Sequence, residues 1–318
     1  MNQSFRRGGV KLSIIIVSYN TKDVTRECLK SIQNAEWRDT FEIIVVDNNS
    51  SDGSVEMIRS EFPEVKVIAN PDNRFFAIAN NQGAAIAKGE YLLLLNSDTL
   101  VYGDNLQKMI DFFDTQSDDV ICIGPKILNK DKSLQSCGVP LMFNPYKHVI
   151  TLFCMDKILP LYKVDPAFYR KPDKTHQTGW VSGACMMIPA KKYAKVGGLN
   201  ENLVFYGEEP EFGYRTSRAG YKTIYYSDAE IIHLGGVSAK ADKKSTYSFE
   251  KDIREYDSLI TETVGTKRAI TITRLTRFSL MVKWLFYKNK DYVASRIKHE
   301  KKVMDYFKKK LESNQAQH

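Results

Sequence analysis

The apolar run Tyr91-Leu92-Leu93-Leu94-Leu95 ends at once in Asn96-Ser97-Asp98-Thr99, so an aliphatic strand delivers a lone carboxylate to its carboxyl end. Ligands of open α/β sheets bind at that edge. Asp98 there offers one hard oxygen and leaves positions for a diphosphate and water, the arrangement magnesium or manganese takes. An Asp at a strand end is also an ordinary turn former. Asp47 stands first after the aliphatic strand Phe41 to Val46, where a carboxylate accepts a base N–H or a ribose hydroxyl. In the same turn, Asp52 and Ser54 read as helix caps beside Gly53. Gly207-Glu208-Glu209-Pro210-Glu211 sets three carboxylates within four residues. Pro210 suits a first helical turn and the helix dipole accounts for one acid, but three exceed what capping needs. A general base acting on a hydroxyl is the second role open to this cluster. His233, between a short apolar strand and Gly235-Gly236, is either structural or a ligand that beside a carboxylate suits manganese better than magnesium.

The elements that must position these residues are legible from residue 12 to 125. Short aliphatic runs, Ser13–Val17, Phe41–Val46, Val65–Ala69, Tyr91–Leu95 and Val120–Ile123, read as strands. Helical patterns near 22–34, 53–61, 76–88 and 104–114 separate them. The alternation predicts an α/β fold with a mainly parallel sheet flanked by helices. Polar residues gather at the strand ends, Ser18-Tyr19-Asn20, Asp47 to Ser50, Asn70 to Asn73 and Asn96 to Asp98, and line one edge as a crevice. After Gly138 a stretch to about 176, rich in Pro and aromatic residues, reads as an irregular insertion whose rings either stack on sugars or pack together. Order resumes at Gly179-Trp180-Val181-Ser182-Gly183-Ala184. A helix near 209–219 capped by Gly220, a strand Lys222 to Tyr226 and a loop Ile232 to Gly236 follow.

With 318 residues and 43% apolar content, the chain has the composition of a globular protein. Its five cysteines form no CxxC or CxxxC pair, which argues against a zinc ribbon or a disulfide framework and fits a reducing cytoplasm. The apolar segment Ile14 to Val17 is too short for a signal-peptide core. The net charge of +8 is unevenly placed: Lys267 to Lys310 holds fourteen Lys or Arg against three acids, so this segment carries +11 and the rest −3. Basicity confined to the tail argues against nucleic acid as partner. In the tail Leu275, Phe278, Met281, Val282, Leu285 and Phe286 recur at helical spacing among Arg274, Arg277, Lys283 and Lys288. Such a helix either packs on the rest of the chain with a solvated basic face or docks on anionic lipid at the inner face of the cell membrane. A P-loop and a GxGxxG after the first strand are both absent, so a metal must neutralise any bound phosphate.

Taken in order, Ser13-Ile14-Ile15-Ile16-Val17-Ser18-Tyr19-Asn20, Val45 to Ser54, Asn96-Ser97-Asp98, Ser182-Gly183-Ala184, Val196-Gly197-Gly198-Leu199, Phe205 to Glu211 and His233 resemble the family 2 glycosyltransferases of GT-A fold. The rhamnosyltransferase-like branch is the best match, over about residues 11 to 238. The resemblance implies a catalytic domain over 1–240, with a nucleotide-sugar half at about 11–125 and an acceptor half at about 126–240, then a helical basic extension over 241–318. It implies an inverting transfer of rhamnose or a hexose from a dTDP- or UDP-sugar to a hydroxyl of a glycan or lipid-linked acceptor, in cell-surface polysaccharide synthesis. Ser18, Tyr19, Asp47 and Asn73 would hold the nucleoside, with Asn20, Asn48, Asn96, Ser97 and Asp98 completing the nucleotide-sugar site. Asp98 would take the place of the last carboxylate of the DxD motif, and His233 would be a second ligand of manganese or magnesium. Glu209 would be the base, with Glu208 and Glu211 beside it, and Trp180 and Gly183 would face the acceptor.

Three positions depart from the family pattern. Asn96 replaces the first DxD carboxylate and lowers the protein charge available to a metal. Glu209 stands where Asp is common, and Phe75 where glycine is frequent, reshaping the donor pocket. These departures leave a second reading, a catalytically weak nucleotide-sugar-binding protein. No QxxRW motif is present, against a processive synthase.

Overall fold

In the computed structural model the described residues are 9–138, 172–203, 207–235, 265–286 and 290–315. They fall into two compact units, residues 9–138 with 172–235 and residues 265–315. The insertion expected between Gly138 and about residue 176 falls largely outside the described residues, as does the boundary expected at 240.

The first unit begins β1 (Leu12–Ser18), α1 (Lys22–Gln33), β2 (Phe41–Asp47), α2 (Ser54–Glu61), β3 (Lys66–Ala69), α3 (Phe75–Ile86), β4 (Tyr91–Asn96), β5 (Thr99–Leu100) and α4 (Asn105–Asp114). It continues with β6 (Val120–Leu128), β7 (Leu134–Ser136), β8 (His176–Thr178), β9 (Cys185–Pro189), α5 (Ala190–Lys195), α6 (Glu208–Arg218) and β10 (Lys222–His233). One sheet runs in the order β3-β2-β1-β4-β9-β6-β10-β5, with β7 on β6 and β8 on β10. Its longest ladders, β1 with β2, β1 with β4 and β6 with β10, are parallel, and β9 enters antiparallel between β4 and β6.

Aliphatic side chains on both faces of β1 and β4 explain why these runs are unbroken rather than alternating. Ile14 and Leu93 join one apolar cluster, and Ile15, Leu92 and Leu94 the cluster across the sheet. Each such side chain contributes about 1.5–3 kcal/mol on burial. This core fixes the register Ser18 opposite Asp47 and Val17 opposite Asn96, so three polar strand ends finish level with one another. Gly220, at φ +87°, ends the helical segment as a left-handed residue, as the sequence predicts.

The sequence differs from the structure in the second half. Cys185–Pro189 is a central strand not singled out by its pattern, because a run of five residues rich in Met and Cys carries little β-branched signal. The strand expected to stop at Tyr226 runs on to His233 as β10, with an irregular register between Tyr226 and Glu230. His233 is therefore the last residue of a strand, paired with Thr99 on β5, rather than part of a loop.

The described part of the second unit is a pair of helices, α7 (Thr266–Phe286) and α8 (Lys290–Gln315). Ala269 and Ile270 pack against Val303, Met304 and Phe307. Lys267, Thr271, Arg274, Phe278 and Met281, at spacings of three and four, share one exposed stripe of α7. Phe278 and Met281 are 59% and 50% exposed. No described helix is long and apolar enough to cross a membrane.

Candidate active site

The first cluster lies where β1 and β2 end. Asp47 is buried and accepts the Ser50 N–H at 2.8 Å and the Ser50 hydroxyl at 2.6 Å. Asn20, at φ +52°, accepts the Ser51 N–H at 2.8 Å and gives its own N–H to Ser50 Oγ at 2.8 Å, so the two strand-end loops are laced together. Asn48 receives Asn70 Nδ2 at 3.0 Å and donates to the Phe75 carbonyl at 3.2 Å. Asn73 Oδ1 takes the Phe75 N–H at 2.9 Å. Both backbone polar groups of Phe75 are thus held by side chains, which keeps this aromatic residue at φ +60° although its Cβ disfavours that region. Ser18 and Ser97 are buried and both approach Thr21 Oγ1 at 3.2 Å, tying the β1 end to the β4 end. Tyr19 stands half-buried beside them.

The second cluster forms at the ends of β4 and β10. Asp98 is 5% exposed, and its Oδ1 lies 3.1 Å from His233 Nε2. Asn96 Nδ2 lies 3.3 Å from the same ring nitrogen. The Leu234 N–H closes on the Asp98 carbonyl at 2.9 Å. On its other side His233 Nδ1 meets Gln135 Oε1 at 2.7 Å. Among the described residues no three His, Cys, Asp or Glu surround a common point. Asp98 and His233 therefore fit a cation that draws its remaining ligands from a diphosphate and water.

The third cluster is the first turn of α6. The Gly183 N–H donates to Glu209 Oε1 at 2.9 Å, and any Cβ at 183 would collide with that carboxyl, so only glycine allows the approach. Burial raises the Glu209 carboxyl above the usual range, opposed by the helix's own Glu209 N–H and by that of Gly183. The next residue, Ala184, accepts the Asn96 N–H at 3.1 Å on its carbonyl, which couples the Glu209 turn to the β4 end through two adjacent residues. Trp180 is half-buried, and a Cβ on Gly213 of α6 would press on it.

The three acids grouped in the sequence have separate environments. Glu211 is buried and forms a fork with Arg215, Oε1 to Nε at 2.7 Å and Oε2 to Nη2 at 3.1 Å. Arg215 also donates to the carbonyls of Val196 and, at 2.8 Å, Gly198. Glu211 thereby fastens α6 to the Gly197-Gly198 turn and is not directed to the base role expected of its cluster. Glu208 is 3% exposed. Sequence reasoning missed Gln135 and Arg215. Arg215 lies four residues after Glu211, a spacing that does signal a helical ion pair; Gln135, on a three-residue edge strand, carries no signal.

The sequence pattern described as Glycosyl transferase family 2 matches residues 13–187. The low-salt glycan biosynthesis hexosyltransferase of Haloferax volcanii is 26% identical over 294 residues, covering 90% of this chain and 88% of that protein. The N-acetylglucosaminyl-diphospho-decaprenol L-rhamnosyltransferase of Mycobacterium tuberculosis is 23% identical over 267 residues, covering 76% and 84%. Among solved structures, GalNAc-T7 with UDP, GalNAc and Mn2+ superposes with a TM-score of 0.59 at 15% identity, over 99% of this chain and 59% of that one. The mannosyltransferase of Pyrobaculum calidifontis in complex with GDP-Man and Mn2+ gives 0.51 at 14% identity, over 95% and 86%. These likenesses establish the GT-A fold. With its pattern matched over more than half of the sequence, the chain belongs to glycosyl transferase family 2.

Proposed function

We propose that the protein is an inverting, metal-dependent glycosyltransferase that moves a hexose or rhamnose from a nucleoside-diphosphate sugar to a hydroxyl of a glycan or lipid-linked acceptor, in polysaccharide synthesis. The observation that carries this reading is the coupling of Glu209 to the β4 end through Gly183 and Ala184, beside the Asp98 and His233 pair. The nucleoside lies along the ends of β1 and β2, against Ser18, Tyr19, Asp47 and Asn73, with Phe75 shaping that side of the pocket. Asn20 and Asn48 set the loops that form its floor. Asp98 and His233 hold manganese or magnesium, which when bound offsets charge on the departing diphosphate. Asn96 and Ser97 complete that end.

Glu209 accepts the proton of the acceptor hydroxyl as its oxygen attacks the sugar from the face opposite the diphosphate. Its raised pKa matches this task, since a base holds a proton better as its carboxylate is desolvated. Gly183 and Trp180 border the acceptor. Relatives named hexosyltransferase and rhamnosyltransferase support the sugar class, and structural neighbours holding UDP or GDP-Man with Mn2+ support the donor and a divalent cation.

The domain division that accompanies this reading is a catalytic domain over 1–240 and a helical basic extension over 241–318. The exposed stripe of α7, basic at Lys267 and Arg274 and apolar at Phe278 and Met281, docks on anionic lipid at the inner face of the membrane. Co-sedimentation of the full chain with anionic vesicles should fall with salt and with F278E and M281E. No binding at low salt sinks the docking.

The test of the activity is a panel of UDP-, dTDP- and GDP-sugars, assayed for hydrolysis and transfer with and without Mn2+. Release of nucleoside diphosphate that needs Mn2+ and is lost in Asp98→Ala is expected. Tight donor binding without turnover on any acceptor extract would instead favour a nucleotide-sugar-binding protein, a reading that Asn96 in place of a carboxylate keeps open.

A further inference from the structure

Gln135 projects from the edge strand β7 and touches His233 twice. Its Nε2 donates to the His233 carbonyl at 3.2 Å and to Asn129 Oδ1 at 2.8 Å. A backbone carbonyl can only accept, so the amide group at that end is the NH2. Asn129 confirms the orientation, because its own Nδ2 is engaged with Ser133 Oγ at 2.9 Å, leaving Oδ1 as the acceptor. Gln135 Oε1 must then be the atom 2.7 Å from His233 Nδ1, and an amide oxygen only accepts. Nδ1 therefore carries a hydrogen; in the neutral ring the lone pair is then on Nε2, and in the imidazolium Nε2 instead donates to Asp98 Oδ1. The lone pair of the neutral ring points at Asn96 Nδ2, a donor at 3.3 Å, and at Asp98 Oδ1, a second acceptor at 3.1 Å. The 3.1 Å separation is met by a proton on Nε2 or by a cation shared between the two groups, and the two compete for one place.

We infer that Gln135 is a positioning residue that fixes the His233 tautomer and ring orientation, so that Nε2 and Asp98 Oδ1 present a preformed pair of donors to a divalent cation. The inference rests on the metal reading above and extends it to a residue that touches neither metal nor substrate. The supporting chain runs from the β6–β7 turn, through Asn129 and Gln135, to the ring. It gives His233 the outer hydrogen bond that metal-bound histidines ordinarily make. With only one carboxylate at this strand end, ring orientation carries more of the affinity than it would beside two. The sequence holds Asn96 where a second carboxylate would stand.

The experiment is Mn2+ titration of the full chain by electron paramagnetic resonance, with UDP, dTDP or GDP added in turn. Wild type, Gln135→Leu, Gln135→Glu and Asp98→Ala are compared, and thermal unfolding of each is recorded alongside. Gln135→Leu should weaken Mn2+ binding about 10–100-fold, the usual effect of losing an outer partner of a metal ligand. Gln135→Glu keeps an acceptor opposite Nδ1 but sets an oxygen against the His233 carbonyl and Asn129 Oδ1, so it should bind Mn2+ more tightly than Gln135→Leu. Because Gln135 is exposed, neither substitution should lower the unfolding temperature. A purely structural role would move the unfolding temperature and leave Mn2+ affinity alone. Wild-type affinity in Gln135→Leu, with binding still lost in Asp98→Ala, overturns the role of Gln135 and spares the metal site. The same holds if Gln135→Glu falls as far as Gln135→Leu. Absence of Mn2+ binding by wild type with all three diphosphates overturns the metal reading and the positioning role together.

Discussion

At the ends of β1 and β2 the polar groups already satisfy one another: Asp47 holds the Ser50 N–H and hydroxyl, Asn20 holds Ser51, and Asn48 and Asn73 pin Phe75. Across the same sheet, at the ends of β4 and β10 and the start of α6, the arrangement is different. There Asp98 Oδ1 and His233 Nε2 lie 3.1 Å apart, and Glu209 keeps a desolvated carboxyl against one N–H from Gly183. The first region is a rigid surface whose hydrogen bonds set shape. The second brings ionisable groups together, with burial raising the Glu209 carboxyl, which is where reactivity is expected.

The largest expected effect tests that division at Glu209. Glu209→Gln should reduce turnover about 10²–10⁴-fold, the contribution of a general base, while donor affinity is retained. Its pH behaviour sharpens the point. The folded pKa is raised from the ordinary 4.5 by burial, so the native state binds the proton more tightly than the unfolded chain. The stability this gives is fully present below 4.5 and is lost as pH rises through the raised value. Denaturant unfolding across that window should therefore show wild type losing stability with rising pH and Glu209→Gln losing less. The activity of wild type should climb over the same window as the base ionises. A rate unchanged in Glu209→Gln would break the comparison.

Arg215→Ala should do the reverse. It strands the Glu211 carboxylate and removes donors from the Val196 and Gly198 carbonyls. Arg215 is about a third exposed, which moderates the loss, so about 2–3 kcal/mol of stability is expected from urea unfolding. Turnover per folded molecule should stay near wild type. Glu209 and Glu211 share one helical turn, and opposite outcomes would show that their environments, not their positions in the sequence, separate chemistry from support.

Much of the first region was legible because its signals are local. Aliphatic runs at β1, β2 and β4 mark strands, and the polar residue after each run marks the edge. Asp98 and His233, 135 positions apart in numbering, were paired by resemblance, and the structure brings them to 3.1 Å. The resemblance singled out Glu209 among the three acids, but the distinct environments of Glu209 and Glu211 were not legible. They depend on which acid meets Gly183 and which meets Arg215, and only the packing of α6 against residues 179–198 decides that. Gln135 was hidden for the same reason, since its partners Asn129 and His233 meet through β6 and β10 rather than through sequence spacing.

The smallest expected effect probes whether the first region is as inert as its hydrogen bonds suggest. Phe75 is 37% exposed and sits at φ +60°, a conformation that costs an L-residue about 1–2 kcal/mol and glycine almost nothing. Phe75→Gly removes that strain but adds freedom to the unfolded chain, which returns roughly 0.5–1 kcal/mol. A net gain of about 0–1.5 kcal/mol in urea unfolding follows from these terms. If the ring serves only as packing, stability should instead fall. A more stable variant that binds nucleoside diphosphate more weakly, measured by calorimetry, would show that this side also holds a group under strain for its ligand. The contrast between the two regions would then be one of degree, with backbone strain at Phe75 beside the ionisable pair at Asp98 and His233.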